Sequence, residues 1–181
     1  MDPIQTYHKR AYKKYKHKYF ALRRQQSAGN PDIRCVPNSL FDVRFESGPF
    51  SSGSDLGLSI VQSKPKLAIN KPNSSFYSVL MFDPDAPTRS NPTKANWLHW
   101  MIVNDSDTIV DFDPPTPPIG SGPHRYFFYL LEQSGRISSD DLKRIYDSNN
   151  RANFDVDRFI RENQLKIISC KMFQTSHTKA S

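Results

Sequence analysis

From Phe41 the chain alternates, with Phe41, Val43 and Phe45 apolar and Asp42, Arg44 and Glu46 polar. A period of two sends the two sets to opposite faces of an extended chain, which predicts a half-buried strand ended by Ser47-Gly48-Pro49. Leu58–Val61 and Lys66–Ile69 read as two further short strands. Three longer runs, Ser75–Phe82, Trp97–Asn104 and Arg125–Gln133, are apolar without alternation and rich in β-formers. Strands covered on both faces have that pattern, and Ser75–Phe82 is expected to be central. The periodicity then turns helical. Ser139 can cap one helix with Leu142, Ile145 and Tyr146 on one face, and Asn153 or Asp155 a second with Val156, Phe159 and Ile160 inward. Leu165–Phe173 predicts a last strand, and Gln174–Ser181 a polar end. The expected class is mainly β with a few helices.

Before this pattern begins, residues 4–24 fit a different period. Ile4, Ala11, Tyr15, Tyr19 and Leu22 share one helical face, and Ser27-Ala28-Gly29-Asn30-Pro31 reads as a linker. The expected organisation is therefore a basic, aromatic arm or helix over residues 1–30 and a domain over 31–181. Charge sharpens this division. The formal net charge is +7, and residues 1–26 hold eight basic side chains and one acid, which leaves 17 of each sign for the rest. The domain is thus neutral, against a broad nucleic-acid face on it. Three readings of the arm stand: a helix docked on the domain, a segment touching acidic membrane or nucleic acid, or a loose tail. No apolar run approaches the roughly 20 residues of a membrane span, and no apolar leader follows Met1. A cytoplasmic protein, peripheral at membranes at most, is the expectation. Cys35 and Cys170 are accordingly read as reduced, buried or semi-buried thiols, the alternative being a disulfide that ties the two ends of the fold together.

Two segments are poor mere connections. Asp83-Pro84-Asp85-Ala86-Pro87-Thr88-Arg89 follows the central strand with two carboxylates and two prolines, which cannot extend a ladder. Asp83 and Asp85 point the same way if the backbone stays extended. A rigid turn with self-capped Asp side chains is the plainer alternative. The second segment, Pro114–Tyr126, is a proline wall with Gly120 and Gly122, then His124 and Arg125 at the mouth of a strand. His99 lies between Trp97 and Trp100; taken alone, such a histidine is more often a core residue than a ligand contact.

In this order, DPDAPTR at 83–89, WLHWMIVN at 97–104 and PPIGSGPHRY at 117–126 resemble the phosphatidylethanolamine-binding protein family, which includes the Raf kinase inhibitor proteins and plant flowering regulators. Weaker similarity covers about residues 35–175. The resemblance implies a central antiparallel sheet packed on a smaller sheet. It also implies an anion pocket lined by Asp83, His99 and His124, with Asp85, Pro87, Trp97, Pro117, Pro118, Gly120 and Tyr126 as floor and rim. Arg89 and Arg125 are expected to be ion-pair partners within the structure. Such proteins usually continue into a C-terminal helix beside the pocket. With eight residues after Phe173, that helix is expected to be absent here.

A bare carboxylate pair repels phosphate, so the pocket needs positive charge or proton donors. Histidines beside a carboxylate are expected to hold protons more tightly and to donate to an anion. The implied function is non-catalytic: binding of phosphate, of a phospholipid head group such as phosphatidylethanolamine, or of a phospho-residue, with a kinase or another protein as regulated partner. The alternative is a scaffold whose basic arm binds acidic membrane or nucleic acid. No cofactor and no metal are expected. Two carboxylates only two residues apart are too close to flank a scissile bond.

Overall fold

The alternation at Phe41–Phe45 becomes a strand, β1, in the computed structural model, which describes residues 38–70 and 75–177. Phe41, Val43 and Phe45 are buried while Arg44 is exposed. A turn at Glu46-Ser47 brings β1 back against β2 (Gly48–Pro49). Gly48 holds φ 109° there, a conformation that a Cβ disfavours. Then follow β3 (Ser54–Asp55), a 3-10 turn (Leu58–Gln62), β4 (Lys66–Ile69), β5 (Phe76–Asp83), β6 (Trp97–Val103) and β7 (Asp107–Val110). The described chain is completed by β8 (His124–Gln133), α1 (Ser139–Ile145), α2 (Val156–Glu162) and β9 (Lys166–Thr175).

The strands form two sheets, a small one in the order β2-β1-β4 and a six-stranded one in the order β3-β9-β8-β5-β6-β7. Every pairing is antiparallel except β3 with β9. β5 is central, between β8 and β6, and seven of its eight residues are buried. That is the reason its sequence lacks alternation. One face of the large sheet meets the small sheet through Tyr77, Val79 and Met81 of β5, Trp100 and Ile102 of β6, Tyr126, Phe128 and Leu130 of β8, and Phe173 of β9. Phe41, Val43 and Phe45 of β1 pack onto that face. The fold is thus mainly β, a central antiparallel sheet packed on a smaller sheet.

Several local expectations are corrected. Leu58–Val61 is a helical turn, not a strand. The Ile60 N–H bonds the Gly57 carbonyl at 3.0 Å, and the Gln62 amide reaches the carbonyls of Leu58 and Pro115 at 3.1 and 2.9 Å. Four residues are too few for periodicity to separate the two states. Ser138, not Ser139, caps α1, accepting from the Asp141 N–H at 3.3 Å. Asp155 caps α2 in the same way at 3.0 Å. Ile145 is 61% exposed. The chain leaves the helical path at Tyr146, whose ring packs edge-on against Phe154 and Phe159, so the apolar stripe is broken before Ile145 can join it. Cys170 is buried and disulfide-bonded, not a free thiol. Its partner lies outside the described residues, as does the expected arm over 1–30. Among the described residues no helix is long and apolar enough to cross a membrane.

Candidate functional site

Strand parity decides what converges at the end of β5. Met81 pairs with Phe128 and Phe82 with Phe127, so the next positions along the ladder are Asp83 and Tyr126. On β6 the register slips: Met81 pairs with Trp100 but Phe82 with Leu98. His99 is the extra residue of this bulge. A bulge turns a side chain away from the face its parity would assign. It points His99 to the face of Tyr126, ring centroids 5.2 Å apart. Asp83, His99, His124 and Tyr126 are each 3% exposed or less.

The carboxylate of Asp83 is fully engaged. Oδ1 accepts the Asp85 N–H at 2.7 Å, and Oδ2 lies 2.7 Å from His124 Nδ1. The Ala86–Pro87 bond that follows is cis. The other imidazole nitrogen, Nε2, is 3.0 Å from Ser121 Oγ, which donates to the Pro118 carbonyl at 2.7 Å. Gly120 and Gly122 flank Ser121 at φ 77° and 79°, and this tight turn is what brings the hydroxyl back over the ring. Pro118, Ile119, Gly120 and Gly122 are exposed. A buried imidazole held by a buried carboxylate therefore lies directly beneath an exposed turn.

Asp85 has a different partner. Its carboxylate accepts from the Arg125 N–H at 2.9 Å, Nε at 3.0 Å and Nη2 at 2.8 Å, and from Arg89 Nη2 at 3.2 Å. Burial pushes this carboxyl up, but the Arg125 hydrogen bonds and the charges of Arg125 and Arg89 outweigh it and hold the group below its ordinary value. Asp83 and Asp85 thus diverge, the first to a histidine and the second to two arginines.

His99 donates through its Nδ1–H to the Asp113 carbonyl at 2.7 Å. The expected gain in proton affinity is reversed here. Burial pushes the His99 imidazole down and outweighs the Asp113 hydrogen bond and the Asp83 charge, and the Arg151 charge adds to the lowering. His99 therefore faces the site as a neutral ring. Burial also raises the Tyr126 phenol well above its usual range, reinforced by the charge of Asp83, so it stays protonated.

Arg151 has no signal in the sequence, yet it supports the bulge. This buried guanidinium donates to the carbonyls of Leu98 at 3.0 Å, His99 at 3.1 Å, Asp111 at 2.9 Å and Ser148 at 2.8 Å. Arg151→Met leaves these carbonyls short of a charged donor. It is expected to lower stability by roughly 3 kcal/mol and to move the His99 ring signals. Urea denaturation and histidine-resolved NMR check both parts.

Of the ten residues singled out in the sequence, Asp83, His99, His124 and Tyr126 come together on one face. Asp85 lies beside them, occupied by arginine. Trp97 is half-buried, its Nε1 donating to Asp113 Oδ2 at 3.3 Å. Pro117 is buried, Pro87 half-buried, and Pro118 and Gly120 are exposed in the turn above His124. Asp113, Ser121 and Arg151 were missed. Ser121 lies inside the flagged segment, three residues before His124. The others act through loops that only the fold brings near. A cavity of about 280 Å³ lies elsewhere, lined by Ile137, Leu142, Ile145 and Tyr146 together with Asp141 and Glu162.

The family model described as phosphatidylethanolamine-binding protein matches residues 46–108 and 103–173. Protein FLOWERING LOCUS T of Arabidopsis thaliana is 34% identical over 126 residues, covering 65% of this chain and 67% of that protein. Protein BROTHER of FT and TFL 1, from the same plant, is 37% identical over 110 residues, covering 55% of this chain and 61% of that protein. The solved structure of a phosphatidylethanolamine-binding protein from Plasmodium vivax matches with a TM-score of 0.65 at 22% identity. That match covers 86% of this chain and 95% of the other, a likeness of fold. The chain spans about two thirds of the length of the relatives it matches.

Proposed function

The chain belongs to the phosphatidylethanolamine-binding protein family, and from that premise we propose that its Asp83–His124 cluster receives a phosphate group, free or carried by a lipid head group. The observation that carries this reading is the orientation of His124. With Nδ1 hydrogen-bonded to Asp83 at 2.7 Å, the ring presents Nε2 toward the exposed turn at 118–122. A protonated imidazole held in this way is a directed donor to an anionic oxygen. His99 and Tyr126 complete the wall, the first neutral and the second a phenol. Arg125 and Arg89 are committed to Asp85. The bound state would tune a protein partner, of which a kinase is one class.

Titration with phosphate and with phosphorylethanolamine, followed by NMR at pH 6 and pH 7.5, tests the reading. An anion that binds the protonated ring draws a proton onto it, so affinity is expected to rise as pH falls. Saturable shifts at His99 and His124 that weaken at pH 7.5 and vanish in His124→Ala support the site. A stronger response to phosphorylethanolamine than to phosphate would favour the head group as the source. Folded protein that responds to neither compound at either pH would overturn the reading.

A further inference from the structure

The Asp83–His124 pair continues to a third group that anion binding does not use. Ser121 Oγ lies 3.0 Å from His124 Nε2, and His124 Nδ1 lies 2.7 Å from Asp83 Oδ2. Hydroxyl, imidazole and carboxylate thus stand in series, each within hydrogen-bond reach of the next. That is the arrangement in which a histidine draws a proton from a serine while a carboxylate holds its tautomer. Burial is graded along the series. Asp83 and His124 are 3% and 1% exposed, whereas Ser121 is half-buried with exposed glycines on both sides. The base and its orienting group are sheltered, and the nucleophile is reachable.

Two more features fit the same chemistry. The N–H groups of Gly120 and Gly122 make no backbone hydrogen bond among the described residues, so donors are free beside the hydroxyl. Ile119, 59% exposed, places an apolar side chain two residues away, next to the exposed Pro118. The resting hydroxyl donates to the Pro118 carbonyl, and turning it to His124 requires only rotation about Cβ–Oγ.

We propose that Ser121 is an acylation site: a nucleophile, activated by His124 and Asp83, that accepts an acyl group with an apolar chain from an ester. In this step the Ser121 Oγ–H proton passes to His124 Nε2 as the Oγ–carbon bond forms. The ester carbon–oxygen bond breaks, and the leaving alcohol takes the proton from Nε2. The product is one acyl-serine and one alcohol, with no redox change and no co-reactant. The N–H groups of Gly120 and Gly122 are the available donors for the oxygen that carries charge in between.

The test treats the full chain with p-nitrophenyl butyrate and, separately, with an alkyl fluorophosphonate, followed by intact mass and peptide mapping. The expected result is one adduct per chain, on Ser121, formed at least ~10²-fold faster than in His124→Gln, the smaller end of what a positioned base contributes. Ser121→Ala, on the exposed turn, is expected to fold normally and to lose the adduct. It carries the test on its own if the buried His124 variant does not fold, as judged by circular dichroism. Folded wild-type protein that forms no adduct, or forms it on another residue, or forms it equally fast without His124, would overturn the proposal and leave Ser121 a turn residue. Phosphate titration reads the anion site separately, so each idea can fail alone.

Discussion

Phe173→Ala is expected to cost about 4 kcal/mol of stability, the middle of the range for a fully buried phenylalanine whose cavity cannot collapse. Phe173 is 0% exposed. Its ring stacks on Tyr126 at 5.1 Å, meets Phe45 and Phe50 edge-on at 5.5 and 5.7 Å, and tilts against Phe128 at 6.2 Å. Phe45 belongs to the small sheet and Tyr126 to the large one, so this one side chain joins the two layers. The rings around it are themselves packed and have little room to close the void. Urea denaturation followed by circular dichroism measures the loss, and Phe173→Leu should lose well under half as much. A loss below about 1 kcal/mol would mean that the sheets are held together elsewhere. The effect should also reach the site, because Tyr126 loses the ring behind it. Weaker phosphate binding in the folded variant is therefore expected.

The second large effect is at Asp85. Arg125→Met removes the guanidinium that donates twice to this buried carboxylate and leaves the more exposed Arg89 as its remaining cationic partner. Breaking one side of a buried ion pair strands the other charge, and a loss of about 3 kcal/mol at pH 7 is expected. The pH dependence identifies the cause. In the native protein the Asp85 carboxyl lies below its ordinary value. The stability it contributes is therefore complete above the unfolded value of about 4 and is lost as pH falls through the lower folded value. In Arg125→Met burial is opposed less, the carboxyl is protonated more readily, and the deficit relative to wild type should shrink below pH 4. Asp85→Asn added to Arg125→Met removes the stranded charge and should recover part of the loss. Denaturation curves at pH 7 and pH 3.5 check both statements. A deficit that is unchanged in acid would place the cost in lost packing of the arginine stem.

Much of the framework was legible in the chain because it is written in contiguous residues. Ser75–Phe82, Trp97–Asn104 and Arg125–Gln133 are long apolar runs, and burial on both faces leaves a sequence few other ways to look. The Asp155 cap and the β1 alternation are equally local. The segments at 83–89 and 117–126 stood out because prolines, carboxylates and histidines at strand ends make poor connections. Tertiary structure decided what these groups do. Asp83 and Asp85 look equivalent at i and i+2, yet one meets His124 and the other Arg125, each some forty residues away, while Arg89 joins the second from four residues along the same segment. The orientation of His99 depends on a one-residue slip between β5 and β6, which periodicity within β6 does not encode. Its lowered proton affinity depends on burial beneath other elements, which no neighbouring residue reveals. Arg151 acts from a loop more than fifty residues from the carbonyls of Leu98 and His99 that it holds. Composition and local pattern set which residues become strand, cap and turn, through forces that act within a few residues. Pairing register and desolvation are properties of chain segments brought together, and they decided the chemistry of the site.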